Sequence, residues 1–261
     1  MPRRAAAAVL ATAIAVLPTG CATTERDAPD AADATARVEG TITVFAAASL
    51  AEAFEELAHR FERAHPGSHV DLNLAGSTAL AQQVLAGAPA DVLATADDAS
   101  MELVVAAGLA DAPVGFASNT LELVVPADSP AAVTGLDDLA RDELRIALCD
   151  PTVPCGAAAV RLLRAAGVDA APDTLESDVR AVLTKVVLGE ADAGLVYRTD
   201  ARAAGDRVTG IPVPGASSVV NRYPIAVTTE ATHPQVAEAF VAFATGPEAR
   251  RVLDGLGFGA P

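Results

Sequence analysis

The sequence predicts an α/β protein of two lobes, each a mainly parallel sheet flanked by helices. Three observations carry this. Short β-rich runs alternate with segments of helical period through most of the chain, the pattern of parallel sheets covered on both faces. The 261 residues suffice for one large domain or two small ones. Apolar residues make up 51% of the chain, enough to bury a core of ordinary size.

The elements follow in order. Residues 1–20 read as an export signal. Arg3 and Arg4 give a positive start, and Ala5 to Leu17 is an apolar run too short to span a bilayer comfortably. The run ends in "LPTGC", and a glycine before a lone cysteine looks like lipoprotein processing at Cys21. Pro18 stands where a leucine is usual, so ordinary cleavage or a retained anchor are the other readings. Residues 21–38 are polar and aperiodic and read as a flexible tether.

The folded part is expected to begin near Val38. "TITVFAA" is a buried strand, and the helix behind it carries Leu50, Phe54, Leu57 and Phe61 on one face. "HVDLNLAG" is a strand, followed by a helix "STALAQQVLAG" with Leu80, Val84 and Leu85 inward. "DVLATAD" is a short strand and "ASMELVVAAG" its helix. "TLELVVPA", entered at the turn-like Asn119, crosses into the second lobe. There "LRIALCD" precedes the helix "GAAAVRLLRAAG", and "SDVRAVLTKVVLG" precedes the strand "AGLVY". "NRYPIAVTT" crosses back near Asn221 to Pro224, and "HPQVAEAFVAFATGPEARRVLDGLG" closes the chain as one or two helices. Lobe I then takes residues 39–118 and 224–261, and lobe II residues 119–223. No internal repeat is visible.

Composition excludes some partners. The formal charge is −16 and Lys185 is the one lysine, so no nucleic acid is expected. Aromatic residues are 3% of the chain, which argues against sugar or nucleobase platforms. If Cys21 carries lipid, Cys149 and Cys155 remain, in "CDPTVPC". An even remainder in an exported protein favours a disulfide; two free thiols are the alternative. A metal pair lacks histidine at ligand spacing.

Several helix starts suggest a site. Ser49 follows the first strand, Ser77 the second, Cys155 opens "PCGAAAV", and Val179 follows Asp178. Helix N-termini carry unpaired N–H groups and partial positive charge, so several converging on one point make an anion site without formal charge. Tyr197, at the end of "AGLVY", adds a phenol. Read singly, the serines are ordinary N-caps and Tyr197 an ordinary strand end. Asp91 and Asp97 read as turn or cap residues before acid–base ones, and Asp178 as a cap, although its carboxylate facing the ligand would favour a protonated anion; His59, His65, His69 and His233 read as solvated before metal ligands. Arg198 and Asp200 are either surface ion pairs or a clamp for an amino acid. Neither G-x-S-x-G, S-x-x-K nor metal-ligand spacing occurs, so no enzyme is expected.

At these residues the sequence resembles the molybdate-binding proteins of bacterial ABC importers, in its "PCG" turn and lipoprotein-like start the actinobacterial branch. The motifs are "VFAAASL", "GST…LAQQVLAGAPADVLATAD", "DPTVPCG", "DVRAVLTKV…GEADAGLVYRTDA" and "YPIAV", spread from Thr41 to the C-terminus. The resemblance implies the two-lobe type II periplasmic binding protein fold with the anion in the cleft. It implies that Ser49 and Ser77 each offer a backbone N–H and a hydroxyl, Cys155 and Val179 a backbone N–H, and Tyr197 its phenol. Relatives usually have alanine where Cys155 stands. Molybdate, and with it tungstate, is the implied ligand, with no cofactor. The implied partners are a membrane permease and its cytoplasmic ATPase, served by a lipid-anchored monomer outside the cell membrane. A binder of another tetrahedral oxyanion such as sulfate, or a hydrolase, are the rival readings.

Overall fold

The structure, a computed structural model, describes residues 38–129 and 131–261. The signal segment, Cys21 and the tether up to residue 37 lie outside the described residues.

The first half opens with β1 (Gly40–Ala47), α1 (Ala51–Ala64), β2 (Ser68–Ala75), α2 (Ser77–Leu85), β3 (Val92–Ala94), α3 (Asp98–Ala106) and β4 (Val114–Asn119). One residue later the chain enters the second sheet as β5 (Leu121–Pro126). There follow β6 (Ile146–Cys149), α4 (Pro154–Ala166), β7 (Thr174–Glu176), α5 (Val179–Val187), β8 (Ala193–Tyr197), α6 (Arg198–Ala204) and β9 (Val208–Ile211). It returns as β10 (Asn221–Val227) and ends in α7 (Pro234–Ala244) and α8 (Pro247–Leu256).

Both sheets have five strands, ordered β2-β1-β3-β10-β4 and β7-β6-β8-β5-β9. In each, one strand runs against the rest: β10 is antiparallel to β3 and β4, and β5 to β8 and β9. The reversed strand is in both cases the one that has just crossed from the other sheet. Counted within its own half, each sheet therefore has the same order, a duplication of plan that no sequence repeat announces. The sheets are mainly parallel, as the alternating pattern predicts. Asn119 pairs with Asn221 across β4 and β10, so strand pairing puts these residues, and 221–223, in the first sheet and not with 119–223 as expected.

Local sequence explains the packing. β1 is buried on both faces from Val44 to Ala47, as a strand inside a parallel sheet must be. α1 buries Ala53, Phe54, Leu57, Ala58 and Phe61, the helical spacing read above. Phe54 and Phe61 meet Phe240 of α7 edge-on, with ring centres 6.1 and 5.3 Å apart. Leu80 and Val84 are buried, but Leu85, expected inward, is 42% exposed at the end of α2.

Candidate functional site

The C-terminal ends of parallel strands point at one cavity between the sheets, where α/β proteins take ligands. Ser49, Ser77, Cys155, Val179 and Tyr197 all line it. They are joined by Ala47, Ala48, Gly76, Ala96 and Asp178, among others, and among the described residues no arginine or lysine is on the wall. The cavity is about 20 Å³. That is a little more than the roughly 10–15 Å³ that one water needs on the same measure, so it suits a compact ligand.

Four helical N-termini meet here. Ser77 is the first residue of α2, whose N-cap is Gly76, and no side chain caps it. Ser49 lies inside a short 3-10 turn, Ala48–Leu50, that leads into α1 and is likewise uncapped. The serines are therefore not N-caps. α4 also has no side-chain cap and begins with Pro154, which has no N–H, so Cys155 supplies its first donor. α5 is capped by Asp178, whose Oδ1 accepts from the N–H groups of Arg180 and Ala181 at 2.9 and 3.0 Å. That leaves the N–H of Val179, the first helical residue. Buried helix starts without side-chain caps are completed by water or by a ligand, and an anion suits their partial positive charge.

The hydroxyls are arranged as donors. Ser77 Oγ accepts from the N–H of Ala96 at 2.9 Å, which leaves its proton to give away. Ser49 Oγ lies 3.0 Å from Tyr223 Oη, and Asn119 Nδ2 donates to that phenol at 3.5 Å. Tyr223, whose oxygen already accepts from Asn119, can give its proton to Ser49 and so free the serine's. Burial pushes the Tyr197 phenol well above its ordinary range, and Tyr223 upward for the same first reason, so both stay protonated.

Two glycines hold this geometry. A Cβ on Gly76 would stand 2.7 Å from the carbonyl oxygen of Ser177, so glycine lets the two halves close at the cavity rim. A Cβ on Gly156 would stand 1.9 Å from the Asp150 carbonyl, which the loop before α4 folds onto it. A disulfide joins Cys149, at the end of β6, to Cys155, with Cα atoms 5.7 Å apart.

Other candidates fall elsewhere. Asp97 caps α3 through Ser100 N–H, and Asp91 accepts from Thr43 and Thr232. Asp200 is no surface residue: it is 1% exposed, and its Oδ2 accepts from the N–H of Tyr197 at 3.2 Å. Arg198 donates to the Gly257 carbonyl. Neither lines the cavity, so the amino-acid clamp is not formed. Sequence reading missed Asn221 and Tyr223, which stand behind the wall.

Twin α/β halves around a small, donor-lined cavity define a protein that binds a compact solute. The chain belongs to the bacterial extracellular solute-binding protein family, whose sequence profile matches residues 42–259. It is 44% identical over 222 residues to the molybdate-binding protein ModA of Mycobacterium tuberculosis, covering 85% of each chain. It is 34% identical to ModA of Escherichia coli, covering 84% of this chain and 89% of that one. The resemblance read from the motifs is thereby confirmed, and these relatives are transport binding proteins, not enzymes. In fold it matches the periplasmic molybdate-binding protein of Azotobacter vinelandii, with TM-score 0.74 and 22% identity, over 84% of this chain and 99% of that one.

Proposed function

We propose that this chain captures molybdate outside the cell and delivers it to the permease of an ABC importer driven by a cytoplasmic ATPase. Tungstate, of nearly the same size and charge, is taken as well. One observation carries the reading: Ser49, Ser77, Cys155, Val179 and Tyr197, far apart in sequence, border one small cavity with no arginine or lysine on its wall among the described residues. Molybdate is a tetrahedral dianion, fully deprotonated at neutral pH, and only accepts hydrogen bonds. Two donors from each serine, one from each of Cys155 and Val179, and the Tyr197 phenol give it about seven, each worth roughly 1.5–3 kcal/mol to a charged ligand. Helix N-termini add partial positive charge where no side chain does. The molybdate-binding names of the relatives at 44% and 34% identity support the same ligand.

The two sheets, each with its helices, act as lobes that close on the anion, and the closed form docks on the permease. The protein works as a monomer, and lipid on Cys21 would hold it at the membrane. Titration calorimetry with molybdate, tungstate, sulfate and phosphate tests the assignment. Tight binding of the first two is expected; heat from sulfate and none from molybdate would overturn it.

A further inference from the structure

Asn221, at the start of β10, is 3% exposed and is not on the cavity wall. Its Nδ2 lies 2.8 Å from Tyr197 Oη, 3.0 Å from the Ala96 carbonyl oxygen and 3.3 Å from that of Pro154. Its Oδ1 faces the Arg161 guanidinium at 3.4 Å. Carbonyls only accept and a guanidinium only donates, so these neighbours settle which way the amide points. An amide nitrogen has no lone pair to accept with. The contact to Tyr197 therefore runs one way: the asparagine donates and the phenol oxygen accepts. Tyr197, Ala96 and Pro154 all line the cavity, so the amide stands directly behind its wall.

We propose that Asn221 is a positioning residue that holds the Tyr197 phenol as a donor toward the cavity, and so selects fully deprotonated oxyanions over protonated ones. The inference rests on the oxyanion reading above. A protonated oxyanion such as hydrogen phosphate brings an O–H that must find an acceptor. The Tyr197 oxygen is one, and the Asn221 N–H takes up part of its accepting capacity; Asp178, also on the wall, spends Oδ1 on the cap of α5. Ser77 is treated in the same way by the Ala96 N–H. Both hydroxyls then present protons, which a dianion without protons can use fully. Asn221 also bridges the halves, since β10 lies in the first sheet and β8, which ends in Tyr197, in the second.

The test is a double-mutant cycle read by calorimetry with molybdate, and with phosphate as competitor. The proteins are wild type, Asn221→Leu, Asn221→Asp, Tyr197→Phe, and each Asn221 substitution combined with Tyr197→Phe. In the wild-type background, Asn221→Leu should cost about tenfold in molybdate affinity and narrow the molybdate-to-phosphate ratio. Asn221→Asp, which accepts from the phenol and turns its lone pairs to the cavity, should cost more. In the Tyr197→Phe background either change should cost no more than about twofold, because no phenol is left to orient. Either substitution alone completes the cycle should the other not fold. Equal losses in both backgrounds with an unchanged ratio would mean that Asn221 merely packs, and would overturn the inference. A wild-type protein that binds no oxyanion would instead overturn the reading beneath it.

Discussion

Ser77 shows what a single residue does here. Its hydroxyl takes a hydrogen bond from Ala96 N–H and keeps a proton facing the cavity. Ser77→Ala should lower molybdate affinity by roughly tenfold to a hundredfold. It should also cost about 1–3 kcal/mol of stability, because the Ala96 N–H loses its acceptor. Ser49→Ala should weaken binding to a similar degree. Ser118→Ala is the control: that hydroxyl bonds the Ala260 carbonyl, away from the cavity, and calorimetry should find its affinity unchanged. The lining residues were legible because each sits at a strand-to-helix turn, which short sequence patterns mark. Asn221 and Tyr223 were not singled out. Their role depends on partners as distant in sequence as Ser49 and Ala96, and no local pattern encodes that.

The loop between β6 and α4 governs one of the four helix mouths. Asp150 turns it by accepting from Thr152 N–H and Oγ1, Gly156 admits the Asp150 carbonyl, and the disulfide pins both ends. Replacing Cys149 and Cys155 by serine should lower stability by about 2 kcal/mol, the loop-closure effect for so short a ring. It should also weaken molybdate binding, since Cys155 N–H loses its fixed direction. Denaturant melts with paired titrations check both; full affinity in a destabilised variant would remove the loop from the site. Long periodic elements such as α1 and α4 could be read from sequence. β4, β7, β9 and α6 could not. "TLE" is too short to show alternation, "VGFASN" mixes glycine and serine into a strand, and "RTDARAA" has no apolar stripe. Tertiary pairing, not propensity, makes them regular.

Across the whole molecule, a cavity lined from both sheets implies that folding, closure and ligand are linked. Ligand should raise the melting temperature in proportion to the logarithm of its concentration above Kd, and the shift is read by scanning calorimetry. pH enters through Asp200. Burial lifts its carboxyl to about 7, against the pull of Arg180, whose guanidinium lies 3.7 Å from Oδ1 but 2.7 Å from Glu52. A carboxyl raised in the folded state contributes stability that is full below its ordinary value of 3.8 and is lost as pH rises through about 7. The protein should therefore be more stable near pH 5 than near pH 8, and Asp200→Asn should flatten that slope in urea melts. The duplicated plan itself was not legible, because equal strand order needs equal connections, not equal residues. The central claim is that uncharged donors at converging helix starts hold a metal oxyanion. Anomalous diffraction at the molybdenum edge from crystals grown with molybdate tests it most directly. The account predicts one peak within hydrogen-bonded reach of Ser49, Ser77, Cys155, Val179 and Tyr197, whereas a peak held by arginines elsewhere, with this cavity holding only water, would contradict it.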